Sequence, residues 1–180
     1  MSKHIKTILG IYIVTIILSS CTTPESELSS YEEDINEASS LIKTARSVTS
    51  MSEELKACRG VRRVNMISEG GVEQTAYVVD KGVGDEGRIS PPCRLGPLLT
   101  EDSFRAQSGM TAQTYDRLTR VLDQTDLWEV ETYDGGVSAY VRSPSLEGTY
   151  IRTELGGRAV GRGPGPYHHI RDQWYWEHAD

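Results

Sequence analysis

The chain has 180 residues, 26 of them acidic and 19 basic, for a formal net charge of −7. An acidic chain repels phosphate backbones and anionic headgroups, which argues against nucleic acid as a partner and against a basic surface as a route to membranes. Length and a 37% hydrophobic content suit one globular domain with a modest core.

The N-terminus places Lys3 and Lys6 ahead of an apolar run, Ile8 to Leu18, broken only by Gly10 and Thr15. A positive patch followed by a short apolar run is the layout of an export signal. The run falls short of the ~20 residues that a transmembrane helix needs. It ends in Leu18-Ser19-Ser20-Cys21, which resembles the lipobox of bacterial lipoproteins. The resemblance covers about the first twenty residues. It implies that residues 1–20 are a lipoprotein signal peptide and that Cys21 becomes a diacylglycerol-bearing N-terminus. Thr22 follows where an aspartate favours inner-membrane retention, so the resemblance implies the outer membrane, facing the periplasm. Cleavage would leave 17 basic against 26 acidic side chains, a net charge of −9.

An even pair of cysteines then remains, Cys58 and Cys93, and in an oxidising compartment such a pair reads as a disulfide. A reactive dithiol is the alternative, although the chain has no CxxC.

Residues 21–30 are rich in Thr, Ser, Glu and Pro and read as a flexible tether. The body, 31–180, is expected to be a single α+β periplasmic domain. Overlapping capping boxes, Ser29 to Glu32 and Ser30 to Glu33, precede Ile35, Ala38, Ile42, Ala45 and Val48, which predicts an amphipathic helix over about 31–48. A further box, Ser50 to Glu53, predicts a short turn leading to Leu55. Alternation at Val64 and Met66, turn chemistry at Glu69-Gly70-Gly71 and the β-rich run Thr75 to Val79 predict a hairpin of 61–68 with 73–80. Residues 81–96 hold four glycines and two prolines around Cys93 and read as a loop.

Thr111 is a predicted N-cap, with Met110 and Tyr115 as a hydrophobic staple, for a helix over about 112–124 whose apolar stripe is Tyr115, Leu118, Val121 and Leu122. Asp134-Gly135 is a two-residue hairpin turn. Pairing Tyr133 with Gly136 sets Trp128 against Val141, Val130 against Ala139 and Thr132 against Val137, all on one face. A second turn at Ser145 to Glu147 is expected to set Val141 against Ile151, Ala139 against Thr153 and Val137 against Leu155. Glu129, Tyr140 and Arg152 would then share the outer face. The expectation is an antiparallel meander of 127–133, 137–143 and 149–155 packed against helices, followed after a glycine-rich stretch by a last aromatic strand, 167–177. From about 110 to 177 this order resembles small uncharacterised bacterial lipoprotein domains, a resemblance that carries no activity.

Motifs for chemistry fail on context. Gly82-Val83-Gly84-Asp85-Glu86-Gly87 fits G-x-G-x-x-G, but Asp85 and Glu86 repel a pyrophosphate and Pro91-Pro92 forbids the helix that must hold it. Ser40-Leu41-Ile42-Lys43 fits S-x-x-K without the partner motifs of serine acyl enzymes. His168 and His169 are adjacent and point to opposite faces of a strand, so they cannot share one ion; a site from His169, Asp172 and a distant ligand is the remaining metal option. No cofactor and no metal are expected.

Trp174, Tyr175 and Trp176 concentrate aromatics at the C-terminus, some as core. Those left exposed, with Tyr140 and Arg152, form a candidate binding surface. Two functions stay open. One is a membrane-anchored, non-enzymatic module that binds a protein, such as an assembly factor, inhibitor or immunity-type protein, and an acidic module suits a basic partner. The other is a small periplasmic hydrolase or sugar- or peptide-binding protein using Glu129 or Glu131 with a histidine of the last strand.

Overall fold

A computed structural model describes residues 22–55, 58–81, 96–153 and 167–179. The fold is α+β: three helices, α1 (Pro24–Lys43), α2 (Glu101–Ser108) and α3 (Ala112–Gln124), accompany one sheet. Its strands are β1 (Val48–Glu54), β2 (Val61–Ile67), β3 (Glu73–Val79), β4 (Leu98–Thr100), β5 (Leu127–Tyr133), β6 (Gly136–Arg142), β7 (Glu147–Thr153), β8 (His168–Arg171) and β9 (Trp174–His178). They lie in the order β4-β3-β2-β1-β5-β6-β7-β9-β8, with β4 parallel to β3 and the other neighbours antiparallel.

Strand alternation sends every second side chain toward the helices. One cross-strand row runs Ala76, Val64, Met51, Val130, Ala139, Tyr150, Trp176, each paired to the next and each buried. The helices close this face with Leu28, Tyr31, Ile35, Ala38 and Ile42 of α1 and Tyr115, Leu118 and Leu122 of α3. On the opposite face a smaller cluster gathers Val61, Val79 and Cys58 with Leu55, Tyr77 and Leu98. Cys58 is disulfide-bonded. The expected partner Cys93, the lipid site Cys21 and the apolar run Ile8 to Leu18 lie outside the described residues. None of the described helices is long and apolar enough to cross a membrane.

The α3 cap stands as expected: Thr111 Oγ1 accepts from Thr114 N at 3.1 Å, and Met110 and Tyr115 are both buried in the same core. The β2–β3 hairpin and the pairs Tyr133–Gly136, Val130–Ala139 and Thr132–Val137 also form. Expectations are corrected in four regions of the chain. First, α1 begins at Pro24, so residues 24–30 are helix and not tether. Thr23 is the cap, exchanging hydrogen bonds with Ser26 at 3.0 and 3.2 Å ahead of a proline at the first helical position, and Leu28 and Tyr31 give this turn a buried face. The same helix stops at Lys43, and Val48 opens β1, a strand that takes the place of the turn expected at Ser50.

Second, a bulge between Leu127 and Glu129 puts Leu127 opposite Val141 and leaves Trp128 half-buried under the Arg142 guanidinium at 4.3 Å. Third, the β6–β7 register differs: Val141 faces Gly148, Ala139 faces Tyr150 and Val137 faces Arg152. The turn closes as Ser143 N donates to Leu146 O, and Leu146 tucks into the core. Gly148 lies beneath the Trp176 indole, where a Cβ would sit 2.3 Å from Cζ2. The inward set of β7 is therefore Gly148, Tyr150 and Arg152. Fourth, the last aromatic segment is a hairpin, β8 with β9, that turns at Asp172 in the left-handed region (φ 49°).

Candidate functional site

One charge of the helix-facing layer is fully buried, that of Arg62. Arg62 shares its parity on β2 with Val64, so its side chain points toward the helices and is 3% exposed. Burying a guanidinium demands carboxylates in its fork geometry. Asp123 of α3 supplies one, bidentate, taking Nη1 at 2.8 Å and Nη2 at 2.6 Å. Asp80, just past β3, accepts from Nε at 2.9 Å. It also accepts from the hydroxyl of Tyr115, itself buried in α3.

Helical spacing carries the site outward from there. Asp116, Thr119 and Asp123 stand at i, i+3 and i+7 along α3 and so line one side of it. From across the gap comes α2, capped by Thr100 Oγ1 accepting from Ser103 N at 3.1 Å and ended by Gly109 in the left-handed region. Its first residue, Glu101, is buried and accepts from Lys81 N at 3.4 Å; its carboxylate pairs with Arg105 at 3.2 Å and Lys81 Nζ at 3.6 Å. Between these walls lies a cavity of about 350 Å³ lined by Asp80, Lys81, Glu101, Ala112, Tyr115, Asp116 and Thr119.

Burial raises the Asp80 carboxyl above the usual aspartate range, outweighing the pull of Arg62 and of the Tyr115 hydroxyl. Burial likewise raises the Tyr115 phenol far above its ordinary value, and the neighbouring Asp80 charge adds to it, so Tyr115 remains a hydrogen-bond donor. For Arg62, burial opposes the charged form but is overcome by the hydrogen bond to Asp123 and the charges of Asp80 and Asp123. Among the described residues the lining holds three carboxylates, Asp80, Glu101 and Asp116, against one cation, Lys81. The surplus is negative. Thr119 is the one hydroxyl among the described lining residues besides Tyr115, and no imidazole accompanies it there. Among the described residues the wall pairs no nucleophile with a base.

The residues expected to form a surface do not converge. Trp174 and Trp176 are core, with ring centroids 6.4 and 4.7 Å from that of Tyr150, which withdraws them from any partner. Arg152, expected on the outer face, lies on the helix side, where it hydrogen-bonds Asn36 and stacks 5.3 Å over Trp174; the altered β6–β7 register is the cause. Tyr140 and Tyr175 do face outward, Tyr140 donating to Glu147 at 2.6 Å and Tyr175 meeting the His169 ring edge-on at 5.2 Å.

The residues of the hydrolase reading are held apart as well. Glu129 on β5 is engaged by Arg63 and Ser50, and four inter-strand steps, about 19 Å, separate β5 from β8. His169 contacts the backbone carbonyl of Asp172 at 2.9 Å and not its carboxylate. Among the described residues no group of three or more His, Cys, Asp or Glu side chains is placed to hold a metal ion.

Sequence reasoning passed over α2, β4 and the cavity. One signal was available: Arg62 occupies an inward position on β2, and a buried arginine requires acidic partners from elsewhere in the chain. Comparison with protein families, with curated proteins and with solved structures finds no match to this chain.

Proposed function

We propose that this chain is a lipid-anchored envelope protein that binds a basic protein partner without chemistry of its own, and that the acidic cavity between α2 and α3 receives one cationic side chain of that partner. The anchor part of this reading is supported by the lipobox-like Leu18-Ser19-Ser20-Cys21, and the binding part by the surplus of carboxylate around a hollow of about 350 Å³. That volume is at the small end of ligand sites and suits one extended lysine or arginine side chain. Two of its carboxylates are fixed by the fold, Asp80 by Arg62 and Tyr115, Glu101 by Lys81 and Arg105, so little ordering is left for the moment of binding. Asp116 is exposed at the rim and is the group that a guanidinium or ammonium meets first.

The test is amide chemical-shift mapping of the body, residues 22–180, with a short arginine-rich peptide. Shifts should concentrate at residues 80–81, 101 and 112–119, weaken with salt and vanish in Asp116→Lys, while Cys21→Ala in cells should abolish palmitate incorporation. Shifts scattered over the surface, or unchanged in Asp116→Lys, would overturn the binding site; palmitate labelling that persists in Cys21→Ala would overturn the anchor.

A further inference from the structure

The first helix is capped two residues after Cys21. Thr23 is already the α1 cap, and the first turn of that helix is held to the sheet: Pro24 O accepts from Tyr150 Oη at 2.7 Å, and Leu28 is fully buried. A ten-residue tether would let the body stray up to about 35 Å from its anchor, whereas the two residues Thr22 and Thr23 span about 7 Å. The anchored end can also be located on the sheet. Pro24 is held by Tyr150 of β7, the strand next to β9, and Glu32, two turns on, accepts from Arg171 at 2.7 Å and from Trp174 at 3.3 Å, so the N-terminal half of α1 runs beside the β8–β9 hairpin, at one edge of the sheet. The acidic cavity is at the other edge, beyond the end of β3; six inter-strand steps separate β3 from β9, about 29 Å. Lying down along the length of α1 is opposed by charge, because Glu33 and Asp34, beyond its first two turns, meet anionic headgroups as like charges.

We propose that the body rests on the bilayer through the start of α1 and the β8–β9 edge, and holds its acidic cavity at the far edge, about 29 Å away and directed into the compartment. This rests on the reading of Cys21 as the lipid-bearing residue. The bilayer surface is then the occupant of the β8–β9 edge, and the partner's cationic side chain is met off the membrane, within one domain's height of it.

The experiment uses the full chain purified with its lipid and placed in vesicles of phosphatidylethanolamine and phosphatidylglycerol. A spin label goes at an introduced cysteine, either His178→Cys at the β9 end or Gln113→Cys beside the cavity, both exposed positions, with a nickel chelate on the lipid headgroups as relaxing agent. The label at 178 should relax several-fold more strongly than the label at 113, and a long Gly-Ser spacer inserted between Thr22 and Thr23 should erase the difference. Equal relaxation of the two labels in acylated protein, or a difference that survives the spacer, overturns the placement alone. A mass showing no diacylglycerol on Cys21 overturns the lipid reading and the placement that rests on it.

Discussion

Two places on the helix-facing side of the sheet solve the same problem in opposite ways. Along the row from Ala76 to Trp176 each strand contributes an apolar side chain, and the row needs nothing beyond its neighbours and the helices above it. Two positions from Val64 along β2, Arg62 occupies an equivalent inward position with Val78 as its strand partner, and there the sheet recruits Asp80, Asp123 and Tyr115. Apolar neighbours pack to density, whereas charged ones keep separation and hydration, and the site's hollow lies beside the charged position and not beside the row. A fold that tolerates one buried cation gains a place where carboxylates can be held open.

Breaking the apolar row should do the most damage. Val130 has no exposure and sits mid-row between Met51 and Ala139, so Val130→Asp buries a carboxylate with no partner and is expected to cost about 4 kcal/mol or more, read as a collapse of the denaturant midpoint. A loss below about 1 kcal/mol would mean that the row is not continuous.

Breaking the charged position should cost less. Arg62→Met leaves Asp80 and Asp123 without their shared cation, at about 3 kcal/mol, toward the low end for a buried pair because Asp123 is 39% exposed and screened by water. The sign with pH follows from Asp80, whose folded value already lies above its ordinary 3.8. A carboxyl raised by folding stabilises most fully below its unfolded value, and that contribution is lost as the pH climbs through the folded value. Without Arg62 the folded value rises further, so the deficit of Arg62→Met against the natural chain should be small in acid and grow toward neutrality. Denaturant melts of both proteins across that range measure it, and a deficit that instead widens in acid would refute the role given to Asp80.

The smallest effect is expected one residue from the largest. Glu131 points away from the helices, half-buried beside Ser138 at 3.4 Å, and Glu131→Lys should cost less than about 1 kcal/mol. If it unfolds the protein as Val130→Asp does, the two faces of β5 have been assigned wrongly.

How much could be read in advance depended on whether a local rule had a competitor. Asp134-Gly135 closes a two-residue turn with Gly135 at φ 74°, and nothing remote contests it, so the pairs Val130–Ala139 and Thr132–Val137 follow from the residues themselves. The N-cap Thr111 is equally local. The β6–β7 turn was open to rival closures, and the one that formed is the one that puts Gly148 under Trp176, a residue 28 positions later in the chain. At the start of α1 two capping boxes at Ser29 and Ser30 were visible, but the cap that formed is Thr23, because Leu28, Tyr31 and the Tyr150 hydroxyl give the earlier turn something to bind. The aromatic cluster at the C-terminus was legible as composition only; that Trp174 and Trp176 face Tyr150 and are lost to any surface depends on three strands meeting in one register.

Of the candidate site the sequence by itself determined the ingredients: an inward-pointing arginine on β2, a helix with acids at i and i+7 beside its apolar stripe, and an acidic surplus over the chain. Those follow from periodicity and composition, which are properties of neighbours in the chain. Only the tertiary structure decided that Arg62 meets Asp80 and Asp123, 18 and 61 residues away, that Glu101 closes the opposite wall, and that a hollow remains among them. Charge pairing acts over a few ångströms in space and has no period along the chain, so the partners of a buried cation are named only when the fold has brought them within reach.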